Sequence, residues 1–286
     1  MICPVLKDED FLADVQRARS DSPSQLHCWW LGQSGFLIQW RGRHLLFDPY
    51  LSDSLTKKYD GTDKPHVRMT GRVIDPARLN FIDVVTSSHN HTDHLDAETL
   101  QPLFAVNPAL EMIIPEANRD FVASRIGLAA ERPRGLDAGE MLKLSDFKFH
   151  AVPAAHNTLE KDERGRHKFL GYVVEAGPWT IYHSGDTLRY DGMVDCLKRH
   201  RINLALLPIN GDRPERRVAG NLNAVEAAAL AHEISAGLVI PCHYEMFEFN
   251  TASPDSFADE CARLRQPFKI LRAGERWSSG ASSPSS

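Results

Sequence analysis

No stretch of this chain is apolar enough, for long enough, to cross a bilayer, and the opening MICPVLKDEDFLADVQ lacks a basic segment followed by an apolar one. No membrane partner is expected, and a cytoplasmic location is the default. Cysteine is sparse: Cys3, Cys28, Cys196, Cys242 and Cys261 are odd in number, far apart and without CxxC spacing. That pattern argues against a disulfide framework and against a thiolate zinc site. An excess of positive charge is missing too. The formal net charge is −5 over 286 residues, which offers no general attraction to phosphate backbones, so no nucleic-acid partner is expected. Nor does any Pro/Gly-rich linker divide the chain internally.

What is present suits one soluble domain with a sizeable core, since 42% of the residues are hydrophobic. Periodicity predicts strands at 27–31, 35–40, 44–48 and 82–88, then helices at 96–105 and 116–126. The second half repeats the style with strands at 141–144, 147–153, 169–175 and 179–183, a helix at 190–199 and a strand at 204–208. A helix at 224–234 with Asn223 as its cap, a strand at 238–241 and a helix at 254–265 follow. Each half runs from hairpins into strand–helix units, which suggests two packed sheets with helices outside, an α+β class. The expected organisation is an N-terminal extension over 1–26, one domain over 27–277 and a disordered Ser/Gly/Pro-rich tail over 278–286.

The chemistry concentrates in Ser88-His89-Asn90-His91-Thr92-Asp93-His94-Leu95-Asp96. His89, His91, Asp93 and His94 form H-x-H-x-D-H directly after an apolar β-rich run. Alternate spacing lets His89 and His91 face the same way, while Asp93 and His94 lie close enough to serve a second ion. Imidazole and carboxylate without thiolate suit zinc, manganese or iron. Three further candidates each end a strand-like run: His156 after 147–152, Asp186 after 180–182 and His243 after 238–241. Asp96 reads as a helix cap and not as a ligand.

With Asp48 in LLFDPY, this ordered set resembles the metallo-β-lactamase superfamily of metal-dependent hydrolases over most of the chain. The resemblance implies a four-layer αββα sandwich and two divalent ions. One ion would sit on His89, His91 and His156, the other on Asp93, His94 and His243, with Asp186 bridging. Asp48 would orient ligands from behind, and His183 is expected to do the same or to serve a core hydrogen bond. The motifs WWLGQSGFLIQW, LLFDPYLSD, HNHTDHLD and KFLGYVVE look like the ascorbate-6-phosphate lactonase group. HNHTDHLD also looks like the phospholipase D-type enzymes that cleave N-acylphosphatidylethanolamine. Asp186 stands where many β-lactamases carry cysteine, which argues against antibiotic hydrolysis.

The resemblance therefore implies a dimetal-activated hydroxide attacking a small, anionic, sugar-phosphate-like lactone or ester, with Asp93 accepting or orienting a proton. A phosphodiesterase or a non-catalytic metal-binding protein on the same fold are the alternatives, and relatives of the lactonase group also form homo-oligomers. Candidate substrate contacts are Tyr244 beside His243, Arg213 with the nearby Arg216 and Arg217 in a basic loop, and the segment 52–72 with Lys57, Lys58, Lys64, Arg68 and Arg72.

Overall fold

The computed structural model describes residues 1–280. Helix α1 (Asp8–Ala18) leads into three antiparallel strands, β1 (Leu26–Gly32), β2 (Gly35–Trp40) and β3 (Arg43–Phe47). After the short α2 (Ser54–Lys58) come β4 (Val84–Thr86), α3 (Ala97–Val106), β5 (Glu111–Pro115), α4 (Arg119–Ile126) and β6 (Arg134–Leu136). A second set begins with β7 (Met141–Leu144), β8 (Phe147–Pro153), β9 (Leu170–Ala176) and β10 (Trp179–His183). It continues through α5 (Met193–Lys198), β11 (Leu204–Pro208), α6 (Ala224–Glu233), β12 (Leu238–Cys242) and α7 (Asp255–Leu264). Strand β13 (Arg276–Ser278) returns to pair with β1.

The strands form two sheets, ordered β13-β1-β2-β3-β4-β5-β6 and β12-β11-β10-β9-β8-β7. Side-chain alternation along β1 explains the layering. Cys28 and Trp30 point into the core shared with the second sheet, whereas Trp29 and Leu31 join the residues under α1, α3 and α4. That outer cluster takes Phe11 and Val15 from α1, Leu100 and Leu103 from α3, and Val122 and Ile126 from α4. On the far side, Ala227, Ala228 and Ala231 of α6 and Phe257 and Cys261 of α7 pack on the second sheet. The result is the four-layer αββα sandwich. No helix among the described residues is long and apolar enough to cross a membrane.

Several expected boundaries move. The segment expected as an extension over 1–26 belongs to the fold: Phe11 is fully buried, and the Trp29 indole donates to Asp14 at 2.9 Å. Helix α1 is hard to read from the sequence because acidic residues fill its first turn and obscure a narrow apolar stripe at Phe11, Val15 and Ala18. The tail expected from 278 begins later. Ser278 pairs with His27, and the Ser279 hydroxyl accepts the Leu26 amide at 2.9 Å; the remainder, 281–286, lies outside the described residues. Strand 82–88 contracts to Val84–Thr86 because Ser87 and Ser88 already turn into the histidine loop. The predicted helix at 116–126 opens as a 3-10 turn at Glu116–Asn118 before α4.

Candidate metal centre

Parallel pairing of β3 with β4, and of β10, β11 and β12 with one another, aligns their C-terminal ends. The predicted residues leave the sheets there or at the end of β8: Asp48 after β3, His89 to His94 after β4, His156 after β8, Asp186 after β10 and His243 after β12. The β4 loop closes at once, with the amides of His94 and Leu95 donating to the His91 carbonyl at 3.1 and 2.8 Å before α3 begins. Gly185 holds a left-handed φ of +59°, and a Cβ there would stand 2.6 Å from that of Ser88. Glycine thus lets the Asp186 loop lie against the histidine loop.

Two groups converge. His89, His91 and His156 bring their ligand atoms within 4.8 Å of one another, as do Asp93, His94, Asp186 and His243. The carboxylate of Asp186 touches both groups, 3.5 Å from His156 Nε2 and 3.3 Å from His94 Nε2. Supporting bonds aim the rings. His94 Nδ1 meets Asp48 at 2.8 Å and His156 Nδ1 meets the Gly220 carbonyl at 2.8 Å, which leaves both Nε2 atoms facing inward. Asp48 is itself fully buried, with φ at +35°, and accepts Thr86 Oγ1 at 2.8 Å, the Ser88 amide at 3.1 Å and the Ser88 hydroxyl. His243 also occupies the left-handed region, at φ +63°. Such backbone strain in non-glycine residues persists only where surrounding structure enforces it.

Burial and charge divide the two groups. Burial, reinforced by cationic neighbours, keeps His89 well below the ordinary imidazole value and brings His91 down to about 4. Burial likewise lowers His156, against the pull of Asp186. In the other group burial works against charge but loses: the carboxylates of Asp186 and Asp93 hold His94 well above its usual value, and Asp186 first among them raises His243 to about 9. Burial would raise the carboxyls of Asp93 and Asp186, yet the adjoining imidazoles keep both lowered.

The donor set fits divalent ions. His89 Nε2, His94 Nε2 and Asp186 Oδ1 are buried with no hydrogen-bond partner among the described residues. Orphaned polar atoms are costly, and each of these belongs to one of the two groups, where a bound cation would satisfy it. The chemistry is imidazole plus carboxylate, which suits zinc, manganese or iron. His183 lies apart from both groups, its Nε2 meeting the Ser34 carbonyl at 2.9 Å and its ring stacked on Phe47 at 4.8 Å.

Above the centre opens a cavity of about 490 Å³, lined among others by Gln33, Lys58, Lys64, Phe121, Arg125 and Arg217. The expected substrate contacts require correction. Tyr244 is buried, its ring stacked on Trp30 at 4.4 Å and its hydroxyl donating to the Leu271 carbonyl, so it does not reach the cavity. Arg216 spends its guanidinium on the Asn210 carbonyl, Asn250 and the Thr251 carbonyl, and Arg213 is exposed without lining the cavity. The neighbouring Arg217 does line it. Within 52–72, Lys57 pairs with Glu98 at 2.7 Å, Arg68 donates to the Ser52 carbonyl at 2.6 Å and Arg72 meets Asp75 at 3.4 Å, which leaves Lys58 and Lys64 at the cavity.

No pattern in the sequence singles out Gln33, yet it reaches the centre. Its amide nitrogen donates to Asp93 at 2.8 Å and lies 3.0 Å from His243 Nε2, while its main-chain carbonyl accepts the His243 amide at 2.9 Å. The only hint in the sequence was its place in the turn of WLGQSG between two strands. Arg125, on the last turn of α4, carried no hint at all.

The model of the beta-lactamase superfamily domain matches residues 43–244. A metal-dependent hydrolase of Myxococcus xanthus is 28% identical over 254 residues, covering 85% of this chain and 78% of that protein. A "Probable L-ascorbate-6-phosphate lactonase" of Escherichia coli is 24% identical over 263 residues, covering 82% of this chain and 73% of its own. Among solved structures, isothiocyanate hydrolase from Delia radicum gut bacteria shares the fold with a TM-score of 0.70 at 18% identity, over 89% of this chain and 99% of that one. The match over residues 43–244, which takes in Asp48, the histidine loop, His156, Asp186 and His243, makes this chain a member of the beta-lactamase superfamily.

Proposed function

We propose that the chain is a metal-dependent hydrolase that uses two divalent ions, zinc or manganese, on a small anionic lactone or ester of the sugar-phosphate kind. The observation that carries this reading is the pair of ligand groups at the floor of one cavity, with buried ligand atoms left unbonded. The names of the relatives support hydrolysis, and that of the Escherichia coli relative favours a lactone. Cations along the cavity wall, Lys58 and Arg125 among them, favour an anionic substrate.

His89, His91 and His156 would hold one ion, Asp93, His94 and His243 the other, and Asp186 would bridge them. Bound there, the ions would supply activation of water at neutral pH and polarisation of the carbonyl or phosphoryl oxygen. The protein's own residues do the rest. Asp48 fixes the His94 ring so that its Nε2 stays inward, and Gly220 does so for His156. Asp93, mostly buried at the cavity wall and kept ionised, accepts the Gln33 amide with Oδ2 and can orient the proton of the attacking water.

The test is a screen of purified chain, reconstituted with zinc or manganese, against lactone, phosphodiester and thioester substrates. The proposal expects lactone or ester opening that disappears on chelation. Turnover of phosphodiesters alone would favour the phospholipase D-type alternative, and two bound equivalents without any turnover would favour a metal-binding protein.

A further inference from the structure

Four cations line the cavity: Lys58, Lys64, Arg125 and Arg217. Two are already engaged. Arg217 forms an ion pair with Asp63, and Lys64 Nζ donates to the Arg217 carbonyl at 2.5 Å. Lys58 and Arg125 have no carboxylate partner among the described residues; the Lys58 ammonium sits 5.1 Å from the Tyr59 ring. The carboxylates that line the cavity, Asp93 and Asp186, both belong to the second ligand group.

Arg125 differs from Lys58 in being half-buried. Its Nη1 donates to the Asn90 carbonyl at 3.1 Å and to Thr92 Oγ1 at 3.4 Å, and its guanidinium carbon stands 4.6 Å from the Phe121 ring centroid. Nε and Nη2 bond no acceptor among the described residues. A guanidinium taken partly out of water with only neutral acceptors is under-compensated, and its planar fork matches an oxyanion. Asn90 and Thr92 alternate with His89, His91 and Asp93, so this cation is bolted to the loop that carries the ligands.

We infer that Arg125, assisted by Lys58, is the seat for a carboxylate or phosphate group of the substrate, beside the reacting centre. This rests on the hydrolase reading for its purpose, but not for its test. An oxyanion on the free Nε and Nη2 would receive two parallel hydrogen bonds while Nη1 keeps its hold on the loop, and Phe121 would bound the seat on its apolar side.

The experiment is calorimetric titration of zinc-loaded protein with methyl phosphate and, separately, with acetate. The seat predicts that Arg125→Gln weakens the tighter of the two by about 10- to 100-fold, as for loss of charge-assisted hydrogen bonds. Arg125→Lys should fall between, and Lys58→Gln, which touches none of the ligand loop, should weaken binding by a smaller factor. The tighter-bound probe identifies the oxyanion. Wild-type affinity in Arg125→Gln with zinc retained overturns the inference, because the anion would then be held by the ions alone. If Arg125→Gln sheds zinc, Arg125→Lys and Lys58→Gln decide, and unchanged affinity in both overturns it equally. Loss of affinity in the variants of a protein that hydrolyses no ester would support the seat and reject the hydrolase.

Discussion

Gln33 works at one point on two neighbours. Its side chain restrains Asp93 and its carbonyl restrains the His243 backbone, so Gln33→Leu should loosen one ion while sparing the other. We expect about a 10- to 100-fold weaker affinity for one zinc equivalent, the range for outer partners of metal ligands. Chelator competition measures it, and equal weakening of both equivalents would mean a general structural loss. Protons separate the two groups as well. In the metal-free chain His243, raised to about 9, is charged at neutral pH and must shed its proton to bind an ion. Affinity at the Asp93, His94, Asp186 and His243 group should therefore climb as pH rises toward 9, by about tenfold per unit for each proton released. The three-histidine group, in which burial lowers all three imidazoles and brings His91 to about 4, should change less over the same interval. Zinc titrations at pH 6 and 8.5 test this; two equivalents with the same pH dependence would contradict it.

At the scale of elements, α1 is part of the sandwich. Phe11 is fully buried and packs edge-on against Trp29 at 6.4 Å, so Phe11→Ala should cost about 3–5 kcal/mol and lower the melting temperature. A near-native melting curve would show that the N-terminal residues are dispensable. The cap at the other end of the chain is finer. Asn223 and Glu226 exchange backbone and side-chain bonds at 2.9 and 3.0 Å, and Asn223→Ala should cost about 1 kcal/mol by denaturant unfolding. That cap was legible because an asparagine three residues before a glutamate carries its own mechanism. Strands β7, β8, β10 and β11 were legible too, since their apolar runs are bounded by turns. Strand β5, whose apolar run is only Met112 to Ile114 between a glutamate and a proline, and β13, half-buried at a sheet edge, lack an apolar run long enough to read. Asp96 does stand at the start of α3, but its carboxylate takes the hydroxyls of Ser54 and Thr99 in place of a backbone amide, and so ties α2 to α3.

Across the whole molecule, each sheet is drawn from one half of the chain except for β13, which returns to the first sheet, and the centre forms where the strand ends of the two sheets meet. The residues that make up the two ligand groups could be found in the sequence because each is a strong metal-binding type placed directly after an apolar strand. The cavity wall could not. It is built by α2, α4 and the loop around Arg217, elements far apart in sequence, and whether an arginine faces a cavity or a carbonyl depends on packing that no local pattern encodes. Arg216 and Arg217 show this most sharply: adjacent and identical, one is consumed by Asn210, Asn250 and Thr251, the other lines the cavity. The measurement closest to the central claim is turnover of an anionic ester followed as zinc is added to metal-free chain. Activity should rise until two equivalents are bound per chain and should be absent in Asp186→Ala, whose carboxylate faces both groups. Full activity without bound zinc, or full activity in Asp186→Ala, would contradict the account.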